Sequence, residues 1–140
     1  MIVRPHAIVL DAEAMSALAN LDRRMQAWAT AARRTNSTLH ASTLTVAEVT
    51  DGTARDVRVR RAARSVRLEP VSESIAYRAG ELRARAAAGR RKARDLTVDA
   101  VVAATALTLP APVVVITGDP AGLGRLLHGT DVRVAPLTAG

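Results

Sequence analysis

The chain has 140 residues, 49% of them apolar, which is enough for one domain with a real core and excludes an intrinsically disordered chain. It has no cysteine, which excludes disulfides, thiolate chemistry and Cys-ligated zinc or iron–sulfur clusters, so any metal must be held by oxygen or histidine. The net charge of +7 rests almost wholly on arginine, since Lys92 is the only lysine; such a balance suits a phosphate-rich partner, and a GC-rich coding bias would produce it equally well.

With no Phe, one Trp and one Tyr, packing falls to Ala, Val and Leu, which favours closely spaced helices on a Val-rich sheet. The first apolar run, Ala7–Leu10, is interrupted by Asp11 and is too short for a signal-peptide core or a membrane span. A cytoplasmic protein without membrane contact is expected.

Short β-branched or apolar runs predict strands at Ala7–Leu10, Thr38–Ser42, Val66–Pro70, Val113–Ile116 and Val132–Ala135. Between them, helical patterns cover Ala12–Ala19, Leu21–Arg33, Thr45–Gly52, Asp56–Ser65, Ser72–Ala88, Thr97–Leu109 and Pro120–Leu127. Alternating strands and helices predict a three-layer α/β/α sandwich on a parallel sheet of about five strands. No repeat or second domain is evident, so residues 1–140 read as one domain, with 89–94 (GRRKAR) as a loop and 136–140 as a tail.

Two helices stand out. The segment from Asp56 to Arg67 carries Arg58, Arg60, Arg61, Arg64 and Arg67, either as a solvated face or as a surface for phosphate or a partner. The segment Thr97–Leu109 is apolar nearly all round and should be buried. Asp99 in its first turn is costly there unless capped, paired or bound to a cation.

In a parallel sheet the strand-exit edge is where ligands bind. Asp11 follows the first strand, Glu48 falls in the first helical turn after the second, Asp99 opens the buried helix, and Asp119 follows the strand Val113–Ile116. All four are expected at one edge. Each can also be read as a helix cap: Asp11 and Asp119 as N-caps, the latter with Pro120 at N1, Thr45 with Glu48 as a capping box, and Asp99 as a first-turn acid after a Thr97 cap. Capping does not explain their convergence. In a sheet of order 3-2-1-4-5 the acids come within several ångströms, where like charges raise each other's pKa or recruit a cation. Oxygen ligands suit Mg2+ or Mn2+.

Four segments resemble the motifs of the PIN-domain family in order: VLDAEAMSAL with Asp11, LTVAEVTDG with Glu48, LTVDAVVAATAL with Asp99, and VVVITGDPAGLGRLL with Asp119. The chain's size and the third motif are most similar to the VapC-like toxin ribonucleases. The pattern departs at Glu13, where Ser or Thr is frequent, and at Gly122, where many members carry another acid; the latter leaves two-metal occupancy in doubt.

The resemblance implies an Mg2+- or Mn2+-dependent endoribonuclease leaving a 5′-phosphate and a 3′-hydroxyl, the toxin of a type II toxin–antitoxin pair. It implies Asp11 and Asp99 as metal ligands, Asp119 as a direct or water-mediated one, Glu48 as a residue that orients water or completes the shell, and Thr117 as a hydrogen-bonding partner of a ligand carboxylate or the phosphate. Arg83, Arg85, Arg90, Arg91, Lys92 and Arg94, just before the acidic helix, would grip the RNA backbone. A VapB-like antitoxin and a homodimer are the implied partners, with Leu18, Leu21, Met25 and Trp28 lining a groove or packing in the core. The dispersed His6, His40 and His128 read as structural. Two rivals are a catalytically degenerate PIN fold serving as an RNA-binding or interaction module, and an Asp-phosphorylated receiver or HAD-type phosphatase. The second rival needs a lysine near a late strand end, and Lys92 precedes a helix.

Overall fold

Ala7–Leu10 forms β1, the central strand of a five-stranded parallel sheet, and all four of its side chains are buried. The computed structural model describes residues 5–88 and 96–139. The other strands are β2 (Thr38–Ser42), β3 (Arg67–Glu69), β4 (Val113–Thr117) and β5 (Arg133–Pro136), in the expected order β3-β2-β1-β4-β5. Seven α-helices lie among the described residues: α1 (Ala12–Ala19), α2 (Arg23–Thr35), α3 (Thr43–Val49), α4 (Asp56–Ala63), α5 (Glu73–Ala87), α6 (Thr97–Leu107) and α7 (Pro120–Leu126).

The alternation of side chains along β1 and β4 builds two cores. Ile8, Leu10, Val114 and Ile116 pack with Met15, Leu18 and Met25 of α1 and α2 and with Val59 of α4. Ala7, Val9, Val113 and Val115 pack with Leu82 of α5, Val102 and Ala103 of α6 and Leu123 of α7. These are the outer layers of the α/β/α sandwich. With almost no aromatic side chains, the second core closes on alanines of α6 that are almost wholly buried, and α5 approaches α6 along that face. The register pairs Ala7 with Val113 and Leu10 with Ile116, so β4 runs one residue beyond the end of β1. That puts the next residues, Asp11 and Thr117, side by side.

Several expectations need correction. The segment read as a tail is held down: Leu137 is buried, and its carbonyl accepts the Trp28 indole N–H at 3.3 Å. The capping box at Thr45 is absent. Ser42 is the N-cap of α3, its hydroxyl accepting the Leu44 amide at 3.1 Å, so Glu48 lies in the last turn of α3 and not its first. Thr97 does not cap α6; Leu96 occupies that position without a side-chain bond. Of the four residues offered as a groove, Leu18 and Met25 are core, Trp28 packs against it, and Leu21 is exposed. The loop residues Arg90, Arg91, Lys92 and Arg94 lie outside the described residues.

Candidate active site

Asp11 terminates β1 and is fixed from three directions. Its amide donates to the Ile116 carbonyl at 3.2 Å, continuing the ladder with β4 for one residue. Oδ1 accepts the Ala14 amide at 2.8 Å, the expected N-cap of α1. Oδ2 accepts the Gly118 amide at 3.1 Å from the chain leaving β4. The side chain is buried, and the two amides meet the requirement that a buried carboxylate be hydrogen-bonded. Capping and convergence are therefore properties of one carboxylate.

The second acid reaches this place by an unexpected route. α3 contacts α1 in one layer and α6 in the other, so it lies across the strand-exit edge and bridges the two layers. Such a helix stands between α1, which Asp11 caps, and α6, whose first turn holds Asp99. Partial desolvation, then the negative charges of Asp99 and Asp11, hold the Glu48 carboxyl above its ordinary pKa. Asp99 and Asp11 therefore lie close enough to Glu48 for their charges to act on it. The loop after α3 is tied by Asp56, a buried carboxylate that accepts the Asp51 amide at 3.0 Å and the Gly52 amide at 2.8 Å.

The fourth acid is arranged differently. Asp119 Oδ1 accepts the Gly122 amide at 3.0 Å and caps α7, as the Asp-Pro pair predicts. Asp119 is not among the charges acting on Glu48. A Cβ on Gly122 would collide with the Asp119 carboxylate, whose Cγ would lie 2.9 Å away. The missing acid at 122 and the tight cap at 119 are thus one feature. Thr117 is fully buried, and its Oγ1 accepts the Asp119 amide at 2.8 Å. This bond orders the turn between β4 and α7 and leaves the Thr117 O–H free of that contact.

Glu13 proves to belong to this edge. Its carboxylate lies against the bare Cα of Gly118, in the space a Cβ there would fill. The departure from the usual Ser or Thr was the only sequence signal for it. Arg83 of α5 also reaches the edge, donating from Nη1 to Thr97 Oγ1 at 2.9 Å, two residues before Asp99.

The donor set is entirely carboxylate oxygen, which fits a hard divalent cation, and the mutual repulsion at Glu48 is what such an ion would relieve. Among the described residues no group of three His, Asp or Glu side chains is arranged to hold a metal ion as it stands. No helix among the described residues is long and apolar enough to cross a membrane.

No curated protein matches the sequence significantly. Among solved structures, FitAcB from Neisseria gonorrhoeae is similar at 22% identity, with 95% of this chain and 99% of that chain covered and a TM-score of 0.67. DNA-bound VapBC from Salmonella typhimurium is similar at 16% identity, over 94% and 98% of the two chains, with a TM-score of 0.67. A toxin–antitoxin complex from Klebsiella pneumoniae is similar at 21% identity, over 89% and 94%, with a TM-score of 0.64. At these identities the likeness establishes a shared fold. The family model of the PIN domain matches residues 8–123, which spans every acid described above. The chain belongs to the PIN-domain family.

Proposed function

We propose that this PIN domain is an endoribonuclease dependent on Mg2+ or Mn2+, acting as the toxin of a toxin–antitoxin pair. Family membership supports nuclease chemistry at the coarse level of reaction class. The observation that carries the finer reading is the convergence of Glu48, Asp99 and Asp11 at the strand-exit edge. Asp11 and Asp99 would hold the cation. Asp119 would reach it directly or through water by Oδ2, the oxygen not used for capping. A divalent cation there would offset the charge on a scissile phosphate and make water a stronger nucleophile.

The protein's own groups do the rest. Two backbone amides keep Asp11 in one orientation, which avoids reorganisation during the reaction. Glu48, with its raised pKa, is suited to orient an attacking water and take its proton at the carboxylate. Arg83, and the basic residues Arg90, Arg91, Lys92 and Arg94, would neutralise the RNA backbone. With so few aromatic side chains, recognition rests on charge and RNA shape more than on base stacking, and binding falls steeply with salt.

The similar structure from Klebsiella pneumoniae is a toxin–antitoxin complex, which supports an antitoxin partner for this chain. Homodimerisation belongs to the same reading. One feature favours the degenerate alternative: Gly122 removes an acid, and no three-group metal site is preformed among the described residues. Incubating the purified protein with RNA in Mn2+ or EDTA separates the two. The nuclease reading expects cleavage only with the metal, with 5′-phosphate ends; intact RNA that is nonetheless bound would favour the degenerate module.

A further inference from the structure

Four arginines of α4 and of the chain that follows it, Arg58, Arg61, Arg64 and Arg67, face two different places. Arg58 and Arg61 turn toward the end of α1, donating to the Asn20 side chain at 3.5 Å and the Ala19 carbonyl at 3.3 Å. Arg64 and Arg67 instead border a cavity of about 320 Å3, together with Arg33 from the last turn of α2. Its floor is apolar, formed by Ala32, Leu39 and Val66. None of the described residues lining it is acidic, and none of the three arginines has an ion pair among the described residues. The volume falls in the range of about 300–1,000 Å3 usual for small-ligand sites.

This cavity lies where β2 and β3 begin, at Thr38 and Arg67, so it is at the sheet edge opposite the acids. The length of β2 alone separates the edges by roughly 13 Å at about 3.3 Å per residue. A phosphate held here cannot be the one facing Asp11 and Asp99.

We infer that this cavity is a second, non-catalytic binding site for a nucleoside phosphate. Arg33, Arg64 and Arg67 take the phosphate, and the apolar floor takes the sugar or base. A guanidinium fork pairs carboxylate and phosphate alike, but three around one concavity favour a phosphate monoester, which offers a larger negative charge and three terminal oxygens. The ligand is a 5′-phosphate group, either of a free mononucleotide or of an RNA terminus. The site does not depend on the nuclease reading.

The test is an NMR titration of the full chain in EDTA, following the amides of Leu39, Val66 and Arg67. The titrants are a nucleoside, its 5′-monophosphate, and one short RNA with and without a 5′-phosphate. The proposal expects shifts with the phosphorylated titrants only. It expects a tenfold or greater loss of affinity in the double variant Arg64→Ser/Arg67→Ser, and partial retention in Arg64→Lys/Arg67→Lys. Saturation by the mononucleotide identifies a free nucleotide as ligand, whereas saturation by the 5′-phosphorylated RNA alone identifies an RNA end; both uphold the site. No shift with any phosphorylated titrant overturns it. So does unchanged binding in the serine variant with a lowered Tm, because Arg64 and Arg67 would then serve only the stability of the fold.

Discussion

The Gly118 amide donates to Asp11 Oδ2 at 3.1 Å, so the side chain that ends β1 also fastens the chain leaving β4. With the Ala14 amide on Oδ1, both carboxylate oxygens are engaged by backbone donors. An asparagine can accept only one of these bonds and turns its NH2 toward the other donor. Asp11→Asn is therefore expected to destabilise the fold by about 1–3 kcal/mol through one unmet buried donor. Urea denaturation checks this; a variant as stable as the parent would refute the double clamp.

Glu13 and Gly118 should couple. Gly118→Ala forces the Glu13 carboxylate aside, a small cost because that side chain is exposed and flexible. In a double-mutant cycle with Glu13→Ala, the penalty of Gly118→Ala should largely vanish. Equal penalties in both backgrounds would mean that the two positions do not touch.

Supplying the acid that many family members carry at 122 is expected to harm this chain. The Cβ of Gly122→Asp would displace the Asp119 carboxylate and uncouple the α7 cap. A loss of about 1 kcal/mol is expected, close to that of Asp119→Ala, and the two together should cost little more than either alone. Additive losses in thermal denaturation would contradict it.

Glu48 gives a pH dependence. Its carboxyl has a raised pKa in the folded protein, so the folded state binds the proton more tightly than the unfolded chain. The favourable contribution is fully present below the unfolded pKa and is lost as pH rises through the folded value. At neutral pH Glu48→Gln should therefore stabilise the protein, by less than about 1 kcal/mol because solvent screens this exposed side chain. The gain should disappear in acid. Tm values measured across the carboxylate range check the sign.

Much of this arrangement was legible in the sequence, for identifiable reasons. Continuous apolar runs such as Val113–Ile116 occur where both faces of a strand are covered, and Asp-Pro at 119–120 is an unambiguous helix start. The turn of α3 that holds Glu48 is not legible locally, because Ser42 and Thr45 are both competent caps, three residues apart. Only tertiary packing decides between them, burying Thr45 inside α3. The contact between Glu13 and Gly118 joins the first turn of α1 to the chain leaving β4, far apart in sequence, and has no local signal. The buried Leu137 was hidden in the same way, since a lone leucine near Pro136 carries no periodicity.

The central claim is that Asp11, Glu48 and Asp99 form a metal-dependent hydrolytic site. Asp99→Asn tests it most directly, because this variant leaves the Asp11 clamp in place. Mn2+ binding by isothermal titration should be seen for the parent and lost in Asp99→Asn, with RNA cleavage falling by roughly a hundredfold or more. A parent protein that binds no Mn2+ and cleaves RNA no faster than Asp99→Asn would contradict the account.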